Sequence, residues 1–190
     1  MKELTASILA ILQATMEWRT IRKNSFLLKA GQTCREVFFI RKGLVRCFYY
    51  SNEQEINACF MKENDWLVAI ESFYEQTPSY EWFQAIEDTE LVAISQHQLR
   101  WLLEQYPELN DFARLLTQHY YREWRSQLLA LRGQPAMERY QWLLDKHPDL
   151  ILRVPGKWLA SWLGMAEVTF SKIRAAQSSG GTSPFNIPKR

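Results

Sequence analysis

The chain has 190 residues, is 47% hydrophobic and 14% aromatic, and carries a formal net charge of +2. This is enough apolar material for one large domain or two small ones, and no run approaches the ~18 consecutive apolar residues of a membrane span. The three cysteines, Cys34, Cys47 and Cys59, form no Cys-x-x-Cys, which argues against zinc and iron–sulfur sites and fits reduced thiols in a cytoplasm.

In chain order, residues 4–18 carry Leu4, Ile8, Leu9, Ile11, Leu12 and Met16 at helical spacing, the pattern of an amphipathic helix and not of a signal peptide. From Ser25 to Ser95 the period changes to short runs rich in Val, Ile, Phe, Tyr and Cys. Turn signals at Gly31, Gly43, Ser51-Asn52, Glu63-Asn64-Asp65 and Glu87-Asp88 separate them, and this spacing predicts a β-sandwich or barrel. A helix is expected from Gln96 to Tyr106, stopped at Pro107. A long helix follows over 109–132, with Phe112, Leu115, Leu116, Tyr120, Trp124, Leu128 and Leu131 as its stripe. Such a stripe suits helix-to-helix dimerisation, with Phe112, Leu116, Tyr120, Trp124 and Leu128 as the interface. A further helix is read over 136–146. The tail over 178–190, with Gly180, Gly181, Pro184 and Pro188, reads as a linker with few strand formers.

Arg153 to Gln177 reads as two helices with a break. Val154, Trp158, Leu159, Trp162 and Leu163 recur at helical spacing, Gly164 follows, and Val168, Phe170 and Ile173 are the inward candidates of the second helix. Phe170 and Ile173 are placed inward and Val168 at the boundary. This is the pattern of a helix-turn-helix DNA reader. Glu167, Thr169, Ser171, Lys172 and Arg174 can meet base edges and phosphates, and Lys157 can meet the backbone. Charge agrees: residues 1–120 hold 12 Lys and Arg against 16 Asp and Glu, residues 121–190 hold 11 against 5. The basic end is the end that would face phosphate.

Together these runs resemble the CRP/FNR family of transcription regulators. Leu28 to Gly31 and Val37 to Arg46 are similar to the opening strands of that family's cyclic-nucleotide-binding jelly roll. Ala85 to Ser95, followed by a helix ending at Tyr106 to Leu109, resembles the exit of the barrel. Arg139-Tyr140, His147 to Leu150, Arg153 to Gly164 and Thr169 to Arg174 resemble its winged helix-turn-helix. The resemblance implies an α+β fold with a barrel domain over 1–108, a dimerisation helix over 109–132, a helix-turn-helix domain over 133–177 and a tail over 178–190. It implies a homodimer with two recognition helices in successive major grooves.

The departures fall in the ligand segment. Where family members carry Gly-Glu-Leu and a later Arg, this chain has Val68, Ala69 and Ile70, with Glu71 nearby, and Ser79 and Tyr80. No glycine lies between Gly43 and Gly133 and no arginine between Arg46 and Arg100, so a phosphate lacks both cradle and fork. Cyclic AMP binding and a resident cofactor are not expected. Trp66, Phe73, Tyr74, Tyr80, Trp82 and Phe83, with Tyr120, Tyr121 and Trp124, leave two readings open: a filled structural barrel, or a pocket for a hydrophobic or aromatic effector. His97, His119 and His147 fall outside the strand runs, so neither a cupin-like metal site nor catalysis is expected. The partners of this reading are double-stranded DNA and a second copy of the chain. RNA polymerase and a small-molecule effector are further candidates, and no membrane is involved.

Overall fold

The computed structural model describes residues 10, 11, 16 and 18–178. Of the helix expected over 4–18, only Ala10 and Ile11 are described as helical; most of the rest, like residues 179–190 of the tail, lies outside the described residues. The chain divides into two compact units, Met1–Arg122 and Glu123–Arg190.

In the first unit, eight strands among the described residues form two four-stranded antiparallel sheets. One runs β1 (Trp18–Ile21), β8 (Thr89–Ser95), β3 (Glu36–Lys42), β6 (Trp66–Leu67). The other runs β2 (Phe26–Leu28), β7 (Trp82–Ala85), β4 (Val45–Ser51), β5 (Gln54–Met61). Helix α1 (Ile70–Glu75) interrupts the strands, and α2 (Gln96–Gln105) and α3 (Glu108–Gly133) follow them. Strand β1 corrects the reading of residue 18 as the end of a helix. Trp18–Ile21 pairs with Thr89–Val92 instead.

The period-2 pattern sorts the residues. Val45 and Cys47 of β4 and Phe83 of β7 enter the interior with Phe38, Ile40 and Leu91. Arg46 alternates to the other face. It is 5% exposed, pairs with Glu55, donates to Gln84, and lies 4.0 Å over the Phe48 ring. Phe48 in turn stacks on Trp82 at 5.9 Å. A second apolar layer, Phe39, Val92 and Ile94, is covered by Leu102 of α2 and Leu109 of α3. Helix α2 begins on a capping box: the Gln98 N–H donates to Ser95 Oγ, and the Ser95 N–H donates to Gln98 Oε1.

The second unit holds the end of α3, then α4 (Ala136–Lys146), α5 (Leu150–Arg153), α6 (Gly156–Trp162) and α7 (Glu167–Ser178). Tyr140, Leu143, Leu150, Leu159, Trp162 and Phe170 are among its buried side chains. Val154 is buried as expected, but it precedes α6 in extended backbone and is not part of that helix's stripe.

Gly43 makes the tight connection between β3 and β4. Its φ is +102°, and an added Cβ would sit 2.5 Å from Thr89 Oγ1 and 2.8 Å from the Asp88 carbonyl oxygen. Gly31 also has positive φ, +86°, but open space around it. Gly43→Ala should therefore cost about 2–3 kcal/mol and Gly31→Ala about 1 kcal/mol, read as shifts of the urea midpoint. Equal losses would show that the Thr89 contact is not what constrains the turn.

Candidate functional site

The helix pair of the second unit is held at its turn by one side chain. Arg139 Nη1 donates to the carbonyl oxygens of Leu163 at 2.7 Å and Gly164 at 2.9 Å. These are carbonyls that a helix end leaves without intrahelical donors. Gly164 takes φ +60°, as its position after α6 requires, and an added Cβ would lie 3.2 Å from Arg139 Nη1. Behind the turn, Trp142, His147 and Trp162 pack ring against ring at 5.3–5.6 Å. Phe170, 1% exposed, meets Tyr140 at 5.3 Å and seats α7 on α4.

With Phe170 inward, the far side of α7 is settled by helical geometry. Glu167, Val168, Ser171 and Lys172 line one shallow surface depression. Val168 is 65% exposed, which corrects its placement as an inward or boundary residue. Thr169 is also exposed. Arg174 is exposed, but its guanidinium lies 5.8 Å over the Phe170 ring, on the side of the helix that meets the rest of the unit. Lys157 is exposed at the start of α6, with its Nζ 5.7 Å from the Trp158 ring. Four of the six expected DNA contacts, Glu167, Thr169, Ser171 and Lys172, thus lie on the open surface of α7, and Val168 stands among them. Sequence reasoning passed over Val168 because an apolar residue in a helix defaults to the core.

The expected pocket segment is partly helical. Val68 lies just past β6, Ala69 is extended, and α1 begins at Ile70. Ala69 is buried, Ile70 is 58% exposed and Glu71 is exposed. Ser72 Oγ accepts from the Cys34 N–H at 2.8 Å, which ties α1 to the loop before β3. Ser79 is buried and structural: its N–H donates to the Gln32 carbonyl oxygen at 2.9 Å and its carbonyl accepts from Gly31 at 2.7 Å. Tyr80 is 61% exposed, with its ring edge-to-face on Tyr49. The aromatic cluster read from sequence divides. Phe73 and Phe83 fill the core, Trp82 lies on the outer face beside Phe48, and Tyr74 is exposed.

Tyr120 and Trp124 fall in different units. Tyr120 belongs to the first unit, where its hydroxyl accepts from the Trp66 N–H at 2.7 Å. Burial pushes that hydroxyl well above the usual tyrosine range, with the Asp65 carboxylate adding to the shift. Trp124 belongs to the second unit and is 54% exposed. The stripe read as one interface divides likewise. Phe112 packs on Trp66 at 6.1 Å, while Tyr121, Trp124, Leu128 and Leu129 stand open.

The charge near the expected pocket is acidic. Burial pushes the Glu81 carboxyl above its usual value, and the Glu71 carboxylate adds to it. Glu81 and Glu71 in turn push up the Tyr80 hydroxyl, after burial. Sequence reasoning missed Glu81 because a lone glutamate in a strand run carries no pattern. Among the described residues no group of three or more His, Cys, Asp or Glu is placed to hold a metal ion.

Residues 18–106 match the family model of the cyclic nucleotide-binding domain. The fold match runs through both units. The fold is CRP/FNR-like. FixK2 from Bradyrhizobium japonicum superposes with a TM-score of 0.74 at 18% identity, covering 90% of each chain. The c-di-GMP-responsive global regulator CLP of Xanthomonas campestris gives 0.72 at 15% identity, covering 92% of this chain and 93% of that one. A Crp/Fnr-family regulator from Eubacterium rectale, described there as a putative transcriptional regulator, gives 0.66 at 14% identity, covering 90% and 82%. At these identities the chain shares the fold of those proteins. No curated protein matches it by sequence. Among the described residues no helix is long and apolar enough to cross a membrane.

The raised Glu81 carboxyl has a measurable sign. Its proton is held more tightly folded than unfolded, so its charge costs stability at neutral pH, and that cost vanishes as pH falls through the folded pKa towards 4.5. Glu81→Gln should be the more stable form at about pH 8, with the gap closing as pH is lowered. Thermal unfolding of both proteins across a pH series reads it. A gap that stays constant would show that ionised Glu81 is not destabilising.

Proposed function

We propose that the chain is a sequence-specific DNA-binding transcription regulator that acts as a homodimer, with a barrel that does not bind cyclic AMP. The observation that carries this reading is the open face of α7, where Glu167, Val168, Ser171 and Lys172 surround one depression on a helix seated by Phe170. A helix of this kind fits a major groove. Lys172 suits guanine or phosphate, Ser171 a base edge, Glu167 a cytosine amino group and Val168 a thymine methyl. The excess of base over acid in residues 121–190 supplies phosphate attraction.

The exposed Tyr121, Trp124 and Leu128 lie at i, i+3 and i+7 on α3, a spacing that presents one apolar ridge to a second copy. In the barrel, a cyclic nucleotide's phosphate at the segment of Val68 to Glu71 would meet the Glu71 and Glu81 carboxylates. Arg46 points to the other face of its sheet and is held by Glu55. A bound Tyr120 hydroxyl and a core filled by Phe73 and Phe83 favour the structural barrel over an open effector pocket.

Selection from random duplexes should enrich an inverted repeat with half-sites about one helical turn, ~34 Å, apart. Lys172→Ala should weaken binding to that site by about 1–3 kcal/mol. Lys157→Ala should weaken binding evenly across sequences and lower the salt slope by about one unit. If no inverted repeat emerges and Lys172→Ala binds as well as wild type, α7 is not the reader.

The dimer is tested separately. Replacing Trp124 and Leu128 by Glu should give monomers in sedimentation, whereas a wild type already monomeric at micromolar concentration removes the dimer from the account. Calorimetric titration with cyclic AMP should show no binding, and a micromolar dissociation constant would mean that the acidic groups are not where the nucleotide sits.

A further inference from the structure

Two of the three cysteines face each other across a strand pair. The antiparallel register of β4 and β5 sets Cys47 opposite Cys59. Both side chains enter the same interior cluster, so they share a face of the sheet. The Cys59 thiol acts on the Cys47 thiol and helps to raise it, and both cysteines are free.

Directly opposed residues on one face have Cβ atoms ~4.5–5.5 Å apart, and a disulfide needs ~3.5–4.5 Å. Closing the bond therefore takes a movement of about 1 Å. The local backbone can supply it, because the register breaks at this point: Cys47 pairs with Cys59 but Phe48 pairs with Asn57. Ala58 is the extra residue of that bulge, and a bulge bends more easily than a regular ladder.

The two thiols differ in access. Cys47 is 1% exposed, and burial, then the neighbouring Cys59 thiol, pushes its own thiol well above the usual range. Cys59 is partly exposed. Cys59 is thus the thiol a small solute reaches, and Cys47 is the protonated neighbour behind it. Cys34 provides an internal comparison. It is buried, and its Sγ donates to the Glu36 carbonyl oxygen at 3.3 Å.

We propose that Cys47 and Cys59 are a modification site, a dithiol that hydrogen peroxide or another small hydroperoxide converts to an intramolecular disulfide. The Cys59 thiolate attacks a peroxide oxygen, the O–O bond breaks, and Cys59 becomes a sulfenic acid as water is released. The Cys47 sulfur then attacks the Cys59 sulfur. The S–S bond forms, the S–O bond breaks, and the departing hydroxide leaves as water with the Cys47 proton. Two thiols lose two electrons and one peroxide becomes two waters. A small thiol reverses the change by exchange. The bond would lock β4 to β5 next to the Asp65 and Tyr120 groups, whose charges act on these same thiols. This inference stands apart from the DNA-binding reading and does not need it.

The test is a thiol count and disulfide map of the full native chain after peroxide treatment. Free thiols should fall from three to one, the survivor being Cys34, with a single cross-link between the peptides of Cys47 and Cys59 and no covalent dimer. Dithiothreitol should restore all three. In Cys47→Ser, the Cys59 sulfenic acid should persist and be captured by a dimedone probe; in Cys59→Ser, Cys47 should keep its thiol. Should either variant fail to fold, the wild-type map alone decides. Retention of all three thiols in the native chain, under peroxide that consumes them in the unfolded chain, overturns the proposal. So does a disulfide that involves Cys34 or joins two chains.

Discussion

The bond from the Trp66 N–H to the Tyr120 hydroxyl sets where the long helix lies on its barrel. Strand β6 is two residues long, and the Trp66 donor is spent on the helix and not on β3. A half-buried backbone donor without a partner costs roughly 1–3 kcal/mol, so the bond constrains strand and helix together. Tyr120 and Phe112 are thereby turned to the barrel, while Tyr121, one position on from Tyr120, stands exposed.

The barrel keeps the shape of a nucleotide-binding domain while its charges point to other uses. An arginine in a jelly roll of this type invites assignment to a phosphate. Here Arg46 alternates to the outer face and is satisfied by Glu55, Gln84 and the Phe48 ring. Glu81, with Glu71 beside it, supplies the opposite sign near the segment that would hold a phosphate. Fold and ligand chemistry are separable in this way because the sheets depend on alternating apolar residues, while a ligand depends on a few polar ones.

Much of the architecture was legible in the chain because it rests on periodicity. The runs around Glu36–Lys42, Val45–Ser51 and Thr89–Ser95 are short, apolar and bounded by turn signals, and α3 keeps helical spacing from Phe112 to Leu131. What was missed is short or local. Strand β6 and helix α5 have two and four residues, too few for either period to appear. Helix α1 is rich in aromatic residues, which favour strands by propensity, and only its packing through Phe73 and Ser72 makes it helical. At the candidate interface, polarity identified Glu167, Thr169, Ser171 and Lys172, but it could not expose Val168. Phe170 was read as inward, and what was missed is that Val168, two positions before it, is then carried round to the open side of the helix. The opposition of Cys47 and Cys59 was likewise invisible, since it depends on the register across a hairpin and on the bulge at Ala58.

That bulge also bears on how the protein behaves in a crowded solution. Strand β5 lies at the end of its sheet, so one row of its backbone donors and acceptors faces outward. An edge of eight residues would template another strand if it were straight and apolar. This one begins with Gln54 and Glu55, and the extra residue at Ala58 takes the ladder out of step halfway along. A foreign strand could match one half of the edge or the other, and aggregation by strand addition is discouraged at the place where the sheet is most open to it.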